Sequence, residues 1–345
     1  MSITANATHM MREIAEIPEA TSRLLDQSGN ALKEAGQALR GLDPAFLTTV
    51  ARGSSDHAAA FLKYVIELTA GVPVASLGPS IASIYGAKLK LAKSASISIS
   101  QSGKSPDIVA MTEGVRDGGA LTIAITNTAG SPLAAASHHP IDIRAGAERS
   151  VAATKTFVTS AVAGLAIIGE WTGDQGLVAA LRELPAQFER AIGCDWMQMT
   201  GALAEHNSLF ILGRGPSAAI ANEAALKFKE VSGLHAEAYS AAEVMHGPMA
   251  LVGKGFPVLA LAARDRSEPS VADAADALAG KGAATFITSE RAAKAVRLPF
   301  AATGHPLTDP LTLIVSFYAF IEAFARHRGL NPDEPRHLRK VTETV

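Results

Sequence analysis

The sequence predicts an α/β protein made of two copies of one unit, each a parallel sheet flanked by helices in three layers. Two observations carry this. From Phe46 onward, short apolar runs alternate with stretches of helical periodicity, the pattern of strands and crossover helices in a sheet covered on both faces. The stretch Leu47-Thr48-Thr49-Val50-Ala51-Arg52-Gly53-Ser54-Ser55 is then restated as Ser208-Leu209-Phe210-Ile211-Leu212-Gly213-Arg214-Gly215-Pro216-Ser217, each followed by a helical pattern. A chain of 345 residues is long enough for two domains with separate cores. A duplicated unit is the economical reading, and two unrelated doubly wound domains with weak internal similarity is the alternative.

In order, residues 10 to 40 carry apolar positions at helical spacing (Ile14, Ile17, Leu24, Leu25, Leu32, Leu39), with Pro18 near a break and Gly36 and Gly41 as stops. This is a helical lead-in. Strands are predicted at Phe46 to Ala51, Val72 to Leu77, Ala95 to Ser100, Leu121 to Thr126 and Ile141 to Arg144, with helices from Ser55, from Ser105 to about Gly118 and from about Ala152 to Trp171. The charged helical segment Gly173 to Cys194 reads as a connector. The second copy has a strand at Ser208, a helix from Ala218 to Ser232, and a strand at Pro257 to Ala262 that ends in Ala263-Arg264-Asp265 without a serine cluster. Ligands of such sheets sit at the carboxyl ends of the strands.

Composition narrows the function. A formal net charge of -2 supplies no basic field for nucleic acid or an anionic membrane, so small-molecule chemistry is expected. The lone cysteine, Cys194, forbids an intrachain disulfide and fits a cytoplasmic location. The start, Met1 to Glu16, is interrupted by Arg12, Glu13 and Glu16 and has no signal-peptide apolar region. Phe157 to Trp171 and Leu311 to Phe324 fall short of the roughly 20 residues a bilayer requires and read as buried helices.

The densest cluster of candidate binding groups is Ser100-Gln101-Ser102-Gly103-Lys104-Ser105. It stands where a buried strand turns into a helix, where hydroxyls and free backbone N–H groups can hold a phosphate. A serine-rich turn with Ser105 as N-cap is equally consistent when the stretch is taken alone. Gly53-Ser54-Ser55 places two more hydroxyls after the first strand, and adjacent strand ends in one sheet would converge both sets on one anion. The second copy supplies acid and base groups instead. Glu223, Lys227 and Glu230 share one helix face, which on spacing alone is most often a solvated salt-bridge stripe. His246 precedes a Gly-Pro turn and suits proton transfer, although one histidine beside a turn is more often structural. The ten histidines show no metal-ligand spacing, so neither a metal nor another cofactor is expected. The terminal stretch from Pro332 to Val345 contains Lys340, and a lysine in a dry pocket can form a Schiff base with a sugar carbonyl.

These motifs, in the order Ser100-Gln101-Ser102-Gly103, Val151-Ala152-Ala153-Thr154-Lys155, Leu226 to Glu230, His235 to Tyr239, Glu243 to Pro248 and Pro335 to Thr342, resemble the sugar isomerase (SIS) fold. The likeness is to the isomerase half of glucosamine-6-phosphate synthase, and it is collinear over nearly the whole chain. It implies a helical lead-in at 1–40, a first SIS domain at 41–182 with the phosphosugar site and a connector at 183–200. A second SIS domain at 201–328 with the acid and base residues and a tail at 329–345 carrying Lys340 complete the layout. It also implies a homodimer in which the loop histidine serves the neighbouring subunit.

Carried onto this chain, the resemblance assigns substrate contacts to Ser55, Ser100, Gln101, Ser102 and Ser105, with Ser54 beside them and a backbone contact near Val151. Glu230 matches the carboxylate that moves a proton between C1 and C2. His246 matches the ring-opening histidine, Lys340 the Schiff-base lysine and Lys227 a lysine beside the substrate. Three positions depart from the family pattern: Lys104 where an acidic residue is usual, Ser105 where threonine is common, and Arg52 in place of a small residue. The synthase also needs an N-terminal glutaminase domain, and this sequence enters the isomerase lead-in almost at once after Met1-Ser2-Ile3. The resemblance therefore points to SIS-type glucosamine-6-phosphate deaminases, with a phosphorylated amino sugar and a ketose phosphate as substrate and product. A fructosamine-6-phosphate deglycase, another aldose–ketose phosphosugar isomerase and a non-enzymatic sugar-phosphate sensor are the rival readings.

Overall fold

The computed structural model describes residues 7–340, so the predicted features at Met1 to Ile3 and at 341–345 lie outside the described residues. Three helices come first: α1 (His9–Ala15), α2 (Ile17–Gln27) and α3 (Gly29–Leu42). The first sheet follows, with β1 (Phe46–Val50), β2 (Val74–Ser76), β3 (Ser94–Ile99), β4 (Leu121–Thr126) and β5 (His139–Asp142). Between and after these strands run α4 (Ser54–Thr69), α5 (Ser80–Ser83), α6 (Pro106–Asp117), α7 (Pro132–Ala135), α8 (Lys155–Thr172) and α9 (Gln175–Ile192).

After α10 (Thr200–Ala204), the second sheet has β6 (Ser208–Gly213), β7 (His235–Ser240), β8 (Pro257–Ala260), β9 (Ala284–Ile287) and β10 (Val296–Arg297). Its helices are α11 (Pro216–Lys227), α12 (Glu268–Gly280) and α13 (Asp309–His327).

Every strand pairing is parallel. The sheets run β2-β1-β3-β4-β5 and β10-β9-β8-β6-β7. Read from β7, the second sheet repeats the first strand for strand, β7-β6-β8-β9-β10, which is the order in which a doubly wound sheet binds its ligand between the first and third strands. The repeat extends to backbone angles. Gly53 at the end of β1 has φ 56° and ψ −133°, and Gly215 after β6 has φ 61° and ψ −137°, a region essentially reserved for glycine. Each glycine turns a strand abruptly into a helix.

The described chain divides into two compact units. The first holds Ile17–Glu148, Lys155–Arg182 and the tail from Arg339; the second holds the described residues up to Glu16, Arg149–Thr154 and Glu183–Leu338. In the first unit β3 is buried at every position, with Ser94, Ser96 and Ser98 alternating with Ala95, Ile97 and Ile99. Both faces are covered, and the small side chains admit helices on one of them; Thr112 of α6 donates to Ser98 Oγ at 2.8 Å. In the second unit, Phe210, Leu212, Val258 and Ala260 of the central strands pack with Val271, Ala275 and Leu278 of α12.

Two differences from the sequence reading matter. The helix expected to run unbroken to Ser232 is α-helical only through Lys227; Phe228–Ser232 is a π-turn, closed by Gly233 in the left-handed region. At its start the Phe228 ring packs among Phe317, Phe320 and Phe324 of α13, with the nearest centroid at 5.3 Å. Strands β7, β9 and β10 also went unpredicted. β7 is an edge strand whose residues are mostly exposed or half-buried, and β10 has two residues, so neither carries a continuous apolar run. No helix among the described residues is long and apolar enough to cross a membrane.

Candidate active site

In the first unit, the carboxyl ends of the adjacent strands β1 and β3 carry the two serine turns. Ser54 and Ser55 open α4, while Ser100 to Ser105 link β3 to α6. Ser105 is the N-cap residue by position, yet its side chain makes no capping hydrogen bond, so its hydroxyl is not consumed by the helix. Ser100 Oγ accepts the Gly103 N–H at 3.3 Å and Ser102 Oγ accepts the Lys104 N–H at 3.3 Å, which folds the turn on itself. Gly103 has φ 62°, and a Cβ there would collide with Ser131 of the neighbouring turn. The Gln101 carbonyl accepts the Asn127 N–H at 3.1 Å, fixing the turn against the end of β4.

The first unit also buries an acid. Glu148 accepts from the Thr156 N–H at 3.1 Å, from Thr156 Oγ1 at 2.7 Å and from Lys340 Nζ at 2.9 Å. Burial pushes its carboxyl upward, but the Lys340 charge and these hydrogen bonds outweigh burial and hold it below the usual range. The neighbouring Lys155, also buried, donates from Nζ to the Ala147 carbonyl at 2.6 Å.

The second unit holds the acid and base residues, and they are not a solvated stripe. Lys227 Nζ lies 3.1 Å from Glu223 Oε1 and 2.7 Å from Glu230 Oε2, with the Lys227 and Glu223 side chains fully buried. Tyr318 of α13 donates its hydroxyl to Glu223 Oε1 at 3.0 Å. Burial alone would lower the Lys227 pKa, but the two carboxylates raise it above its ordinary value. Lys227 is thereby favoured as a cation, and it holds one Glu230 oxygen. The π-turn displaces Glu230 from the regular helical path, a frequent local device at functional sites. Glu230 also lines a cavity of about 460 Å³ with Ser232, Asn331, Glu334 and Arg336.

His246 ends an exposed single turn, Glu243–His246, ahead of Gly247. Among the described residues no hydrogen bond or ion pair joins it to Glu230 or Lys227. The Val151 N–H donates to the Asp333 carbonyl at 3.3 Å. The preceding Arg149 and Ser150 N–H groups turn to the Glu13 carboxylate, Ser150 at 3.3 Å. The backbone near Val151 is thus held from two sides within the second unit. Among the described residues no group of three or more His, Cys, Asp or Glu is placed to hold a metal ion.

A family model described as SIS domain matches residues 47–168 and 202–325. The chain belongs to the SIS domain family. Among its relatives, the glutamine–fructose-6-phosphate aminotransferase [isomerizing] of Symbiobacterium thermophilum is 33% identical over 97% of this chain and 58% of that protein. The chain spans a little under six tenths of the length of that relative, and the homology is to its isomerase half. Among solved structures, a candidate phosphosugar isomerase from Silicibacter pomeroyi DSS-3 superposes with a TM-score of 0.92 at 56% identity, covering 95% of this chain and all of that one. The C-terminal domain of glucosamine-fructose-6-phosphate aminotransferase from Francisella tularensis gives a TM-score of 0.83 at 26% identity, covering 97% of this chain and all of that one.

Within this SIS protein, sequence reasoning singled out Lys227, Glu230, His246, Lys340 and the serines, and the structure joins Lys227 to Glu230 directly. It passed over Glu148 as part of a helix start, although Glu148 stands three positions before Val151 in the same motif. It also had no signal for Tyr318, which reads as one more apolar position of α13.

Proposed function

We propose that this SIS protein, a phosphosugar isomerase by family, catalyses the isomerising deamination of glucosamine 6-phosphate to fructose 6-phosphate and ammonia. The observation that carries the proposal is Glu230. One carboxylate oxygen is held at 2.7 Å by the buried Lys227, Oε1 makes no hydrogen bond among the described residues, and the side chain borders a cavity of sugar size. Such a carboxylate can take a proton from C2 of an open-chain amino aldose and return it to C1. Glutamine–fructose-6-phosphate aminotransferases, the relatives of this chain, carry fructose 6-phosphate and an isomerisation in their name, which supports the same carbons as the reacting pair.

In this reading the serine turns at Ser54-Ser55 and Ser100-Ser105 hold the phosphate, and Val151 contributes a backbone contact. His246, presented on an exposed turn, opens the pyranose ring in the site of a second copy of the chain, making a homodimer the working form. Glu230 removes the C2 proton to give an enolamine and protonates C1 to give the C2 imine. Water adds to that imine and expels ammonia, leaving the ketose. Each proton transfer by a placed acid or base is worth about 10²- to 10⁴-fold. Lys340 stands beside the carbonyl chemistry as a cation or as an amine nucleophile. No cofactor is required.

Incubation of the purified protein with glucosamine 6-phosphate tests this, with ammonia and fructose 6-phosphate measured together. Equal amounts of the two are expected, and fructose 6-phosphate with glutamine is expected to yield no amino sugar. Ketose formation without ammonia would reassign the chain to simple aldose–ketose isomerisation, and turnover of N-substituted fructosamine 6-phosphates alone would make it a deglycase. Binding without turnover of any of these would make it a sensor.

A further inference from the structure

Arg52 sits at the end of β1, immediately before Gly53-Ser54-Ser55, and its Nε donates to Asp107 Oδ2 at 2.7 Å. Asp107 is fully buried in the first turn of α6, two residues after Ser105. The guanidinium therefore bridges the two strand-to-helix turns that carry the cradle serines. Asp56, in the first turn of α4, has its carboxyl raised by burial, an effect that the charges of His57 and Arg52 oppose without overcoming. Asp107 uses its other oxygen to accept the Ile108 N–H at 2.8 Å, so the acid is anchored independently of the arginine. The Arg52 side chain is 48% exposed, and its Nη1 and Nη2 make no hydrogen bond among the described residues.

This arrangement differs from an ordinary surface ion pair. The acid is dry and already bonded, the cation is half in solvent, and the unused edge of the fork lies beside turns rich in hydroxyls. A guanidinium held by one edge presents two parallel donors on the other, the geometry that matches two oxygens of a phosphate. We propose that Arg52 is a phosphate ligand of the cradle, oriented by Asp107, so that this site binds its sugar phosphate with an arginine as well as with serines and backbone N–H groups. The inference rests on the reading of Ser54-Ser55 and Ser100-Ser105 as the phosphate cradle. It makes the site more demanding of charge than a cradle of neutral donors, and it assigns Asp107 a positioning role.

The test is calorimetric titration of the full chain with fructose 6-phosphate and with inorganic phosphate, in wild type and in Arg52→Gln, Arg52→Lys and Asp107→Asn. Arg52→Gln is expected to weaken both ligands about tenfold or more, because a charge-assisted contact is lost. Arg52→Lys is expected to recover part of that loss. Asp107→Asn leaves the cation in place but loosens its orientation, and is expected to weaken both ligands clearly less than Arg52→Gln does, while its KM and that of Arg52→Gln move apart. Equal losses in Arg52→Gln and Asp107→Asn would show that the pair only staples the two turns and would overturn the proposal. Undiminished phosphate affinity in a folded Arg52→Gln would overturn it too. Wild-type protein that binds neither ligand would overturn the cradle itself, an outcome distinct from the other two.

Discussion

Lys340 Nζ lies 2.9 Å from Glu148 Oε2, although 192 residues separate the two in sequence. A residue five positions from the end of the chain is thereby held by a fully buried acid of the first unit, rather than left to solvent. The Lys340 side chain retains 24% exposure, so the pair is anchored on the carboxylate side and open on the lysine side. In the proposed reaction Lys340 leaves, or shares, this carboxylate to reach the sugar carbonyl.

Glu148→Gln is therefore expected to loosen Lys340 and to reduce kcat by about tenfold or more, while costing about 1–3 kcal/mol of stability. The acid dependence follows from the direction of the shift. The folded-state pKa of Glu148 lies below its ordinary value of 4.5. Its contribution to stability is therefore present above that value and is lost as pH falls through the lower, folded-state pKa. Denaturant midpoints compared from neutral pH down to about pH 3 should show wild type and variant converging in acid; a constant gap would contradict the assignment.

Lys227→Met removes the cation between Glu223 and Glu230. Two carboxylates then face each other where one side chain is fully buried, at a cost of about 3–5 kcal/mol, or on the order of 10 °C in Tm. The Lys227 pKa is raised, so its stabilising contribution is complete below its ordinary value of 10.5 and is lost only as pH rises through the still higher folded-state value. Scanning calorimetry at neutral pH checks the cost. A variant as stable as wild type would mean that the triad is not a buried charge cluster in solution.

Glu230→Gln and Ser102→Ala should fail in different ways. The first removes the proton carrier and is expected to lower kcat about 10²-fold or more, with KM little changed. The second removes a contact present in both ground and transition states and is expected to raise KM severalfold with kcat nearly intact. Steady-state kinetics on glucosamine 6-phosphate separates the two, and a reversed pattern would exchange their roles.

The His246 ring makes no side-chain hydrogen bond among the described residues, and the residue ends an exposed turn. A site completed by a second copy predicts complementation. When inactive His246→Ala and inactive Glu230→Gln chains are unfolded, mixed and refolded, half the dimers are mixed and each mixed dimer has one intact site, giving about a quarter of wild-type activity. No recovery would place His246 and Glu230 in the same chain's site.

The sequence by itself determined the repeated strand-turn-helix, because glycine at a positive φ and the alternation of short apolar runs are local requirements written in adjacent residues. It likewise determined that Glu223 and Lys227 fall on one side of a helix with Glu230 one turn further on, and that serines follow two strand ends. Only the tertiary structure decided what that helix side meets. Spacing states which side chains are neighbours but not whether water reaches them, and it is α13, bringing Tyr318 from 95 residues away to Glu223, that makes the stripe a buried triad. The same holds for Lys340 with Glu148 and for Arg52 with Asp107. Each pair joins residues whose distance along the chain carries no periodic signal, and each exists because the packed sheet ends bring a dry carboxylate within reach of a cation.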